Sequence, residues 1–173
     1  KEGVTFTAAV PTIWLGMLQH LEETGTDLGA LKRVVIGGSA APRSMIVDFK
    51  EKYGVDVIHA WGMTEMSPLG TVGSLSAEAA KLSQEEQFDL KTKQGRAIFG
   101  VELKVTDDAG TTLPRDGESF GHLMVRGPWC VGEYFGGEGG HILDAEGWFD
   151  TGDVATIDQG GYMQITDRAK DVI

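Results

Sequence analysis

The first sixty residues alternate between short β-prone runs and amphipathic segments, and proline or glycine marks each change. Val4-Thr5-Phe6-Thr7-Ala8-Ala9-Val10 is a strand candidate, and Pro11 then fixes φ where a first helical turn needs it. Ile13, Trp14, Met17, Leu18 and Leu21 recur at helical spacing, with Gln19, Glu22 and Glu23 on the other side, so a helix is predicted to end near Gly25. Leu31 to Ile36 is the next apolar run, broken only by Lys32-Arg33, and it meets Gly37-Gly38-Ser39-Ala40-Ala41. Pro42 restarts a helix through Met45, Ile46, Phe49 and Tyr53, which Gly54 closes. Val55-Asp56-Val57-Ile58 then leads into His59-Ala60-Trp61-Gly62-Met63-Thr64-Glu65. Such alternation calls for a parallel α/β layer with its functional loops at the carboxyl ends of the strands.

The pattern changes after residue 75. A polar stretch from Ala77 to about Lys93 reads as helical, and strand candidates follow at 101–106, 119–126, 153–157 and 162–166, separated by Asp-, Gly- and Gln-rich turn signals. The fold class expected is therefore α/β followed by an antiparallel β lobe. The expected division is an α/β lobe over 1–75, a helical connector over 76–95 and the β lobe over 96–168, with 169–173 beyond it. Charge divides in parallel: residues 1–75 hold 6 basic and 8 acidic groups, residues 76–173 hold 9 and 18. A net charge of −11 argues against binding nucleic acid or anionic lipid by bulk charge, although backbone amides can hold a small anion against the field. The single Cys130 excludes an internal disulfide framework, and no apolar run reaches the roughly 20 residues of a spanning helix. A reducing, cytoplasmic setting is expected. The chain opens on Lys1 and stops on Asp171-Val172-Ile173 in mid-pattern, so both ends are expected to be cuts in something longer.

Four segments carry residues suited to chemistry. In Gly37-Gly38-Ser39-Ala40 small residues let a planar or charged ligand approach the backbone, though a plain tight turn explains the run as well. Trp61-Gly62-Met63-Thr64-Glu65 combines an aromatic face, a hydroxyl donor and a carboxylate able to hold Mg²⁺; read alone it is more often a buried Trp beginning a loop. Gly147-Trp148-Phe149-Asp150-Thr151-Gly152-Asp153 fixes a carboxylate at a strand entrance, where it can accept from two ribose hydroxyls or cap a turn. Asp167-Arg168-Ala169-Lys170-Asp171 offers a planar donor, or a solvated turn. The four histidines are too scattered for paired metal spacing.

In this order, together with Val10-Pro11-Thr12 and Gly121-His122-Leu123-Met124-Val125-Arg126-Gly127-Pro128, the segments resemble the adenylate-forming superfamily of acyl-CoA synthetases, luciferases and peptide-synthetase adenylation domains. The resemblance implies part of that family's large N-terminal domain, with ATP, Mg²⁺ and CoA as cofactor and co-substrates and a small carboxylic acid as substrate. It implies adenine between the Gly38-Ser39-Ala40 backbone and Trp61, with His59 and Ala60 near its amino edge and Gly62 and Met63 alongside the nucleotide. It places Thr64 at the α-phosphate, Glu65 at the metal, Asp153 and Arg168 at the ribose with Ile165 nearby, and Lys170 at a hinge. Thr64 and Glu65 would be the catalytic pair.

Trp61 and the following Met66-Ser67-Pro68-Leu69-Gly70 resemble the medium- or long-chain fatty-acyl-CoA ligase branch, which includes ligases for short thioether acids. The acyl pocket would then be lined by Trp14, Gly37 and Met66. The family's phosphate loop and its distal C-terminal lysine are not found in 1–173, so these residues alone are expected not to turn over. A non-catalytic acidic interaction module and a luciferase-like or aryl-acid adenylating enzyme are the competing readings. The sequence leaves homo-oligomerisation open.

Overall fold

The computed structural model describes residues 2–168, excluding the side chains of Asp167 and Arg168. These residues form two compact units that interleave along the chain: one runs to Trp61 and resumes over Val72–Gly95, the other comprises Gly62–Thr71 and the residues from Arg96 onward.

The first unit contains β1 (Phe6–Ala9), α1 (Pro11–Thr24), β2 (Arg33–Ile36), α2 (Arg43–Tyr53), β3 (Asp56–Gly62, whose last residue belongs to the other unit) and, after a 3-10 turn at Ala79–Lys81, α3 (Gln84–Thr92). The three strands pair in parallel, with Phe6 opposite Arg33, Ala9 opposite Ile36, and Ile36 opposite His59. Every strand and helix expected before residue 60 is present. α1 begins at Pro11, whose missing N–H costs nothing in a first turn, and both α1 and α2 end on glycine.

Side chains at two-residue intervals on β2 and β3, Val34, Ile36 and Val57, bury against Trp14 and Leu18 of α1 and Met45, Ile46 and Phe49 of α2. Each such burial stabilises by about 1.5–3 kcal/mol before entropy is subtracted, which is why the helical stripes legible in sequence face the sheet. The polar stretch expected to be helical over 77–93 breaks at Leu82, because Ser83 caps α3 in a reciprocal capping box with Glu86. Lys91, nearly buried, ties α3 to β3 through Asp56 Oδ1 at 2.7 Å and the Val57 carbonyl at 3.1 Å.

The second unit holds β4 (Leu69–Val72, its last residue counted with the first unit) and a two-residue β5 (Arg96–Ala97). It then forms a four-stranded antiparallel sheet in the order β6 (Glu102–Thr106), β7 (Gly121–Arg126), β8 (Phe149–Ile157) and β9 (Met163–Arg168). The four strands expected in this region are present; β8 starts four residues earlier than expected, and the short β4 and β5 carried no sequence signal. Leu103, Val105, Leu123, Val125, Ala155, Ile157 and Met163 form the buried face. Among the described residues no helix is long and apolar enough to cross a membrane.

Candidate functional site

In the first unit the register decides which loops meet. Because Ile36 lies opposite His59 on adjacent parallel strands, Gly37-Gly38-Ser39-Ala40 leaves β2 beside Ala60-Trp61, which continue β3 at the same carboxyl edge. The approach is close: a Cβ on Gly37 would stand 3.3 Å from the Ala60 carbonyl oxygen. Gly38 has φ +84°, a conformation that strains any residue with a side chain. Gly38, Ser39 and Ala40 are exposed, whereas Ala60 and Trp61 are buried.

His59 is buried in β3, and its Nδ1 lies 3.0 Å from the Thr92 carbonyl, which can only accept, so Nδ1 carries the proton. Burial pushes the imidazole below its usual range, against an opposing pull from the backbone of Thr92 and Ser39, and the ring is therefore neutral. The Ser39 backbone among these groups places the ring next to the glycine-rich loop. Trp14 is 3 % exposed and its indole N–H donates to the carbonyls of Ala9 (3.0 Å) and Val35 (3.1 Å), so it locks α1 to the ends of β1 and β2.

In the second unit Gly62 to Thr71 makes a compact crossing. A Cβ on Gly62 would lie 1.8 Å from the Pro68 carbonyl oxygen, so only glycine fits there. Met63 is extended, and Thr64–Met66 form a single 3-10 turn with Met66 fully buried. Thr64 and Glu65 line an open cavity of about 290 Å³ with Ser67, Trp129, Cys130, Val131 and Tyr134. The Glu65 carbonyl accepts from Val131 N–H at 2.7 Å, and its Oε1 accepts from the Tyr134 hydroxyl at 2.8 Å. That carboxylate pushes the Tyr134 phenol upward, so Tyr134 remains a donor. Burial raises the Cys130 thiol as well, which makes it a poor nucleophile in this cavity.

Asp153 sits on β8, 4 % exposed, and its N–H donates to Thr151 Oγ1 at 3.2 Å while Thr151 donates to the Leu123 carbonyl. On the neighbouring strand Arg168 is its register partner, and Ile165 is opposite Ala155. The antiparallel ladder therefore brings these three predicted residues onto adjacent strands. Upstream, Trp148 is held between the cations of Lys104 and Arg126, each 4.5 Å from the ring centre, and Asp144 accepts from the Glu146 and Trp148 N–H groups. The Trp148 backbone bond chiefly keeps the Asp144 carboxyl below its ordinary range. Lys170 lies outside the described residues.

Sequence reasoning missed Tyr134 and Trp129. They stand 69 and 60 residues from the atoms they bond, Glu65 Oε1 and the Leu69 carbonyl, in a glycine-rich stretch without periodicity. Only the aromatic-glycine composition of 129–137 marked it as unusual for a surface loop.

A sequence profile described as AMP-binding enzyme matches residues 1–135. The 3-methylmercaptopropionyl-CoA ligase of Ruegeria lacuscaerulensis is 56 % identical over 171 residues, covering 99 % of this chain and 32 % of its own. The medium-chain-fatty-acid–CoA ligase of Ectopseudomonas oleovorans is 51 % identical over 173 residues, 100 % of this chain and 32 % of its own. Among solved structures, the O-succinylbenzoate coenzyme A synthetase of Bacillus subtilis, in complex with ATP and magnesium ion, superposes with a TM-score of 0.79. It is 28 % identical, over 99 % of this chain and 33 % of that one. The chain thus spans about a third of the length of the curated relatives it matches.

Proposed function

Because the chain belongs to the AMP-binding enzyme family, we propose that it carries nucleotide-facing elements of an ATP-dependent acid–CoA ligase acting on a straight-chain fatty or short thioether carboxylic acid. In this reaction a carboxylate oxygen of the acid attacks the α-phosphorus and pyrophosphate leaves. The thiol of CoA then attacks the acyl carbonyl and AMP leaves. The observation that most supports the reading is the pairing of Ile36 with His59, which sets the small-residue turn after β2 beside Ala60-Trp61 of β3 at the carboxyl edge of a parallel sheet. Open α/β sheets take nucleotides at such edges.

The roles follow from chemistry. In the first unit Gly38, Ser39 and Ala40 offer exposed backbone to the adenine, with His59, Ala60 and Trp61 on the neighbouring strand. In the second, Gly62 and Met63 lead to Thr64, whose hydroxyl donates to an α-phosphate oxygen. Asp153, with Arg168 and Ile165 on the adjacent strand, accepts from the ribose hydroxyls. Gly37 in the first unit and Met66 in the second are acyl-binding residues of this reading, and Trp14 serves it by fixing α1 to β1 and β2.

The donors fit a hard cation: the Glu65 carboxylate and Thr64 hydroxyl are oxygens on one open cavity. Among the described residues no cluster of three or more His, Cys, Asp or Glu forms a closed metal cage. That suits Mg²⁺ held by one carboxylate and substrate phosphates, where it supplies charge neutralisation as pyrophosphate departs.

ATP–pyrophosphate exchange by the full-length protein tests the reading, across acids from butyrate to palmitate, 3-methylmercaptopropionate and benzoate. Exchange with the aliphatic acids, lowered by about 100-fold or more in Glu65→Gln, is expected. Exchange confined to benzoate, or absent with every acid, would refute it. These 173 residues alone are expected to give none.

A further inference from the structure

Glu65 is gripped at both ends by one segment of chain. Its main-chain carbonyl accepts from Val131 N–H at 2.7 Å, and its carboxylate Oε1 accepts from the Tyr134 hydroxyl at 2.8 Å. The adjoining residues are held by the same segment, since Ser67 Oγ donates to the Trp129 carbonyl at 3.2 Å and Trp129 Nε1 donates to the Leu69 carbonyl at 3.3 Å. A three-residue 3-10 turn has too few internal bonds to fix its own geometry, so residues 129–134 set where the carboxylate stands.

The choice of donor matters. A lysine in place of Tyr134 would neutralise the carboxylate and compete with a cation, whereas a phenol is neutral and occupies one lone pair of one oxygen. The other oxygen keeps the full acceptor capacity of an ionised acid. Groups that bond a ligating side chain in this way fix its orientation, and their loss weakens metal binding by about 10- to 100-fold in known sites.

The geometry points to Tyr134 as the positioning residue that presents the Glu65 carboxylate to a divalent cation, with residues 129–134 acting as its clasp. The inference rests on Glu65 being the metal-holding carboxylate proposed above. It adds a function to a segment 69 residues distant in sequence, with no role in the nucleotide chemistry itself.

The test uses the full-length protein and the Tyr134→Phe variant. The ring is preserved in Phe, so its packing beside Gly139 survives, and the hydroxyl alone is removed. Mn²⁺ binding is titrated by electron paramagnetic resonance in the presence of a non-hydrolysable ATP analogue, for the parent, Tyr134→Phe and Glu65→Gln. Mn²⁺ affinity about tenfold weaker in Tyr134→Phe is expected. The Mg²⁺ concentration for half-maximal exchange should rise by a similar factor, with kcat at saturating Mg²⁺ within about twofold of the parent.

A purely structural role would lower kcat and thermal stability together without that split, and would overturn the inference. Unchanged or tighter Mn²⁺ binding in Tyr134→Phe, with Glu65→Gln clearly weakened, also overturns it, because the hydroxyl would then be idle or would stand where the cation goes. If Glu65→Gln itself leaves Mn²⁺ affinity unchanged, the metal role of Glu65 fails and Tyr134 fails with it.

Discussion

Trp14 separates two ways in which a helix can serve an acyl-binding enzyme. As a pocket residue it would contact the substrate; in the structure it is 3 % exposed, meets Phe49 edge-on at 5.7 Å, and donates its indole N–H to the Ala9 and Val35 carbonyls. Trp14→Phe keeps an aromatic ring but removes the donor and the five-membered part of the indole. Leaving the two part-buried carbonyls without this shared donor costs about 1–2 kcal/mol, and the partly filled space beside β2 costs about 1–2 more. A total loss of about 2–4 kcal/mol is expected. Urea denaturation followed by near-ultraviolet circular dichroism reads it directly, with the slope of the transition checking that the unfolded state is unchanged. In parallel, the acid chain-length profile of the full-length variant should keep its maximum at the parental chain length. If stability falls by less than about 0.5 kcal/mol while the preferred chain length moves, the assignment of Trp14 to the core rather than to the substrate is wrong.

Two further outcomes follow from burial and backbone geometry. Gly62→Ala forces a Cβ to 1.8 Å from the Pro68 carbonyl, which no side-chain rotation relieves, so a loss of about 3 kcal/mol or more is expected in thermal melts. Gly16→Ala, exposed in the middle of α1 with open space around it, should instead stabilise by up to about 1 kcal/mol; equal effects of the two would refute the close-approach argument. His59 is held below its unfolded pKa by burial, so the unfolded state binds the proton more readily. Its contribution is present above about pH 6.5 and is lost as pH falls further, with a limiting slope of about 1.4 kcal/mol per pH unit. A His59→Gln variant should lack that slope between pH 7 and pH 5, and identical profiles would remove His59 as its source.

The parts of the fold that were legible are those whose signal is local. Trp14 to Leu21 and Met45 to Phe49 repeat at helical spacing because one face must bury, although Ile13, counted in the same stripe, stays exposed, and Pro11, Gly25 and Gly54 mark the helix ends by backbone chemistry that needs no partner. The break at Ser83 was also written locally, in its capping box with Glu86, but was submerged in a polar stretch with no apolar stripe to interrupt. β4 and β5 were invisible for a different reason. Leu69-Gly70-Thr71-Val72 and Arg96-Ala97 carry no apolar run like those of the equally short β1 and β2, so they take their order from distant chain, as where Ile98 N–H reaches the Gly70 carbonyl.

The candidate site divides along the same line. Residue types suited to a nucleotide, a small-residue turn after a strand, a Trp-Gly-Met-Thr-Glu run and an aspartate entering a late strand, were set by the sequence because chemistry requires those groups whatever surrounds them. Their physical state was not. That His59 is neutral, that Trp14 is sealed in the core, and that Glu65 is clasped by Tyr134 depend on burial and on partners 33, 21 and 69 residues away. Side-chain identity fixes which proton or lone pair is available, but desolvation and long-range hydrogen bonds decide whether it is charged, buried or held in place, and those arise only when the chain has folded.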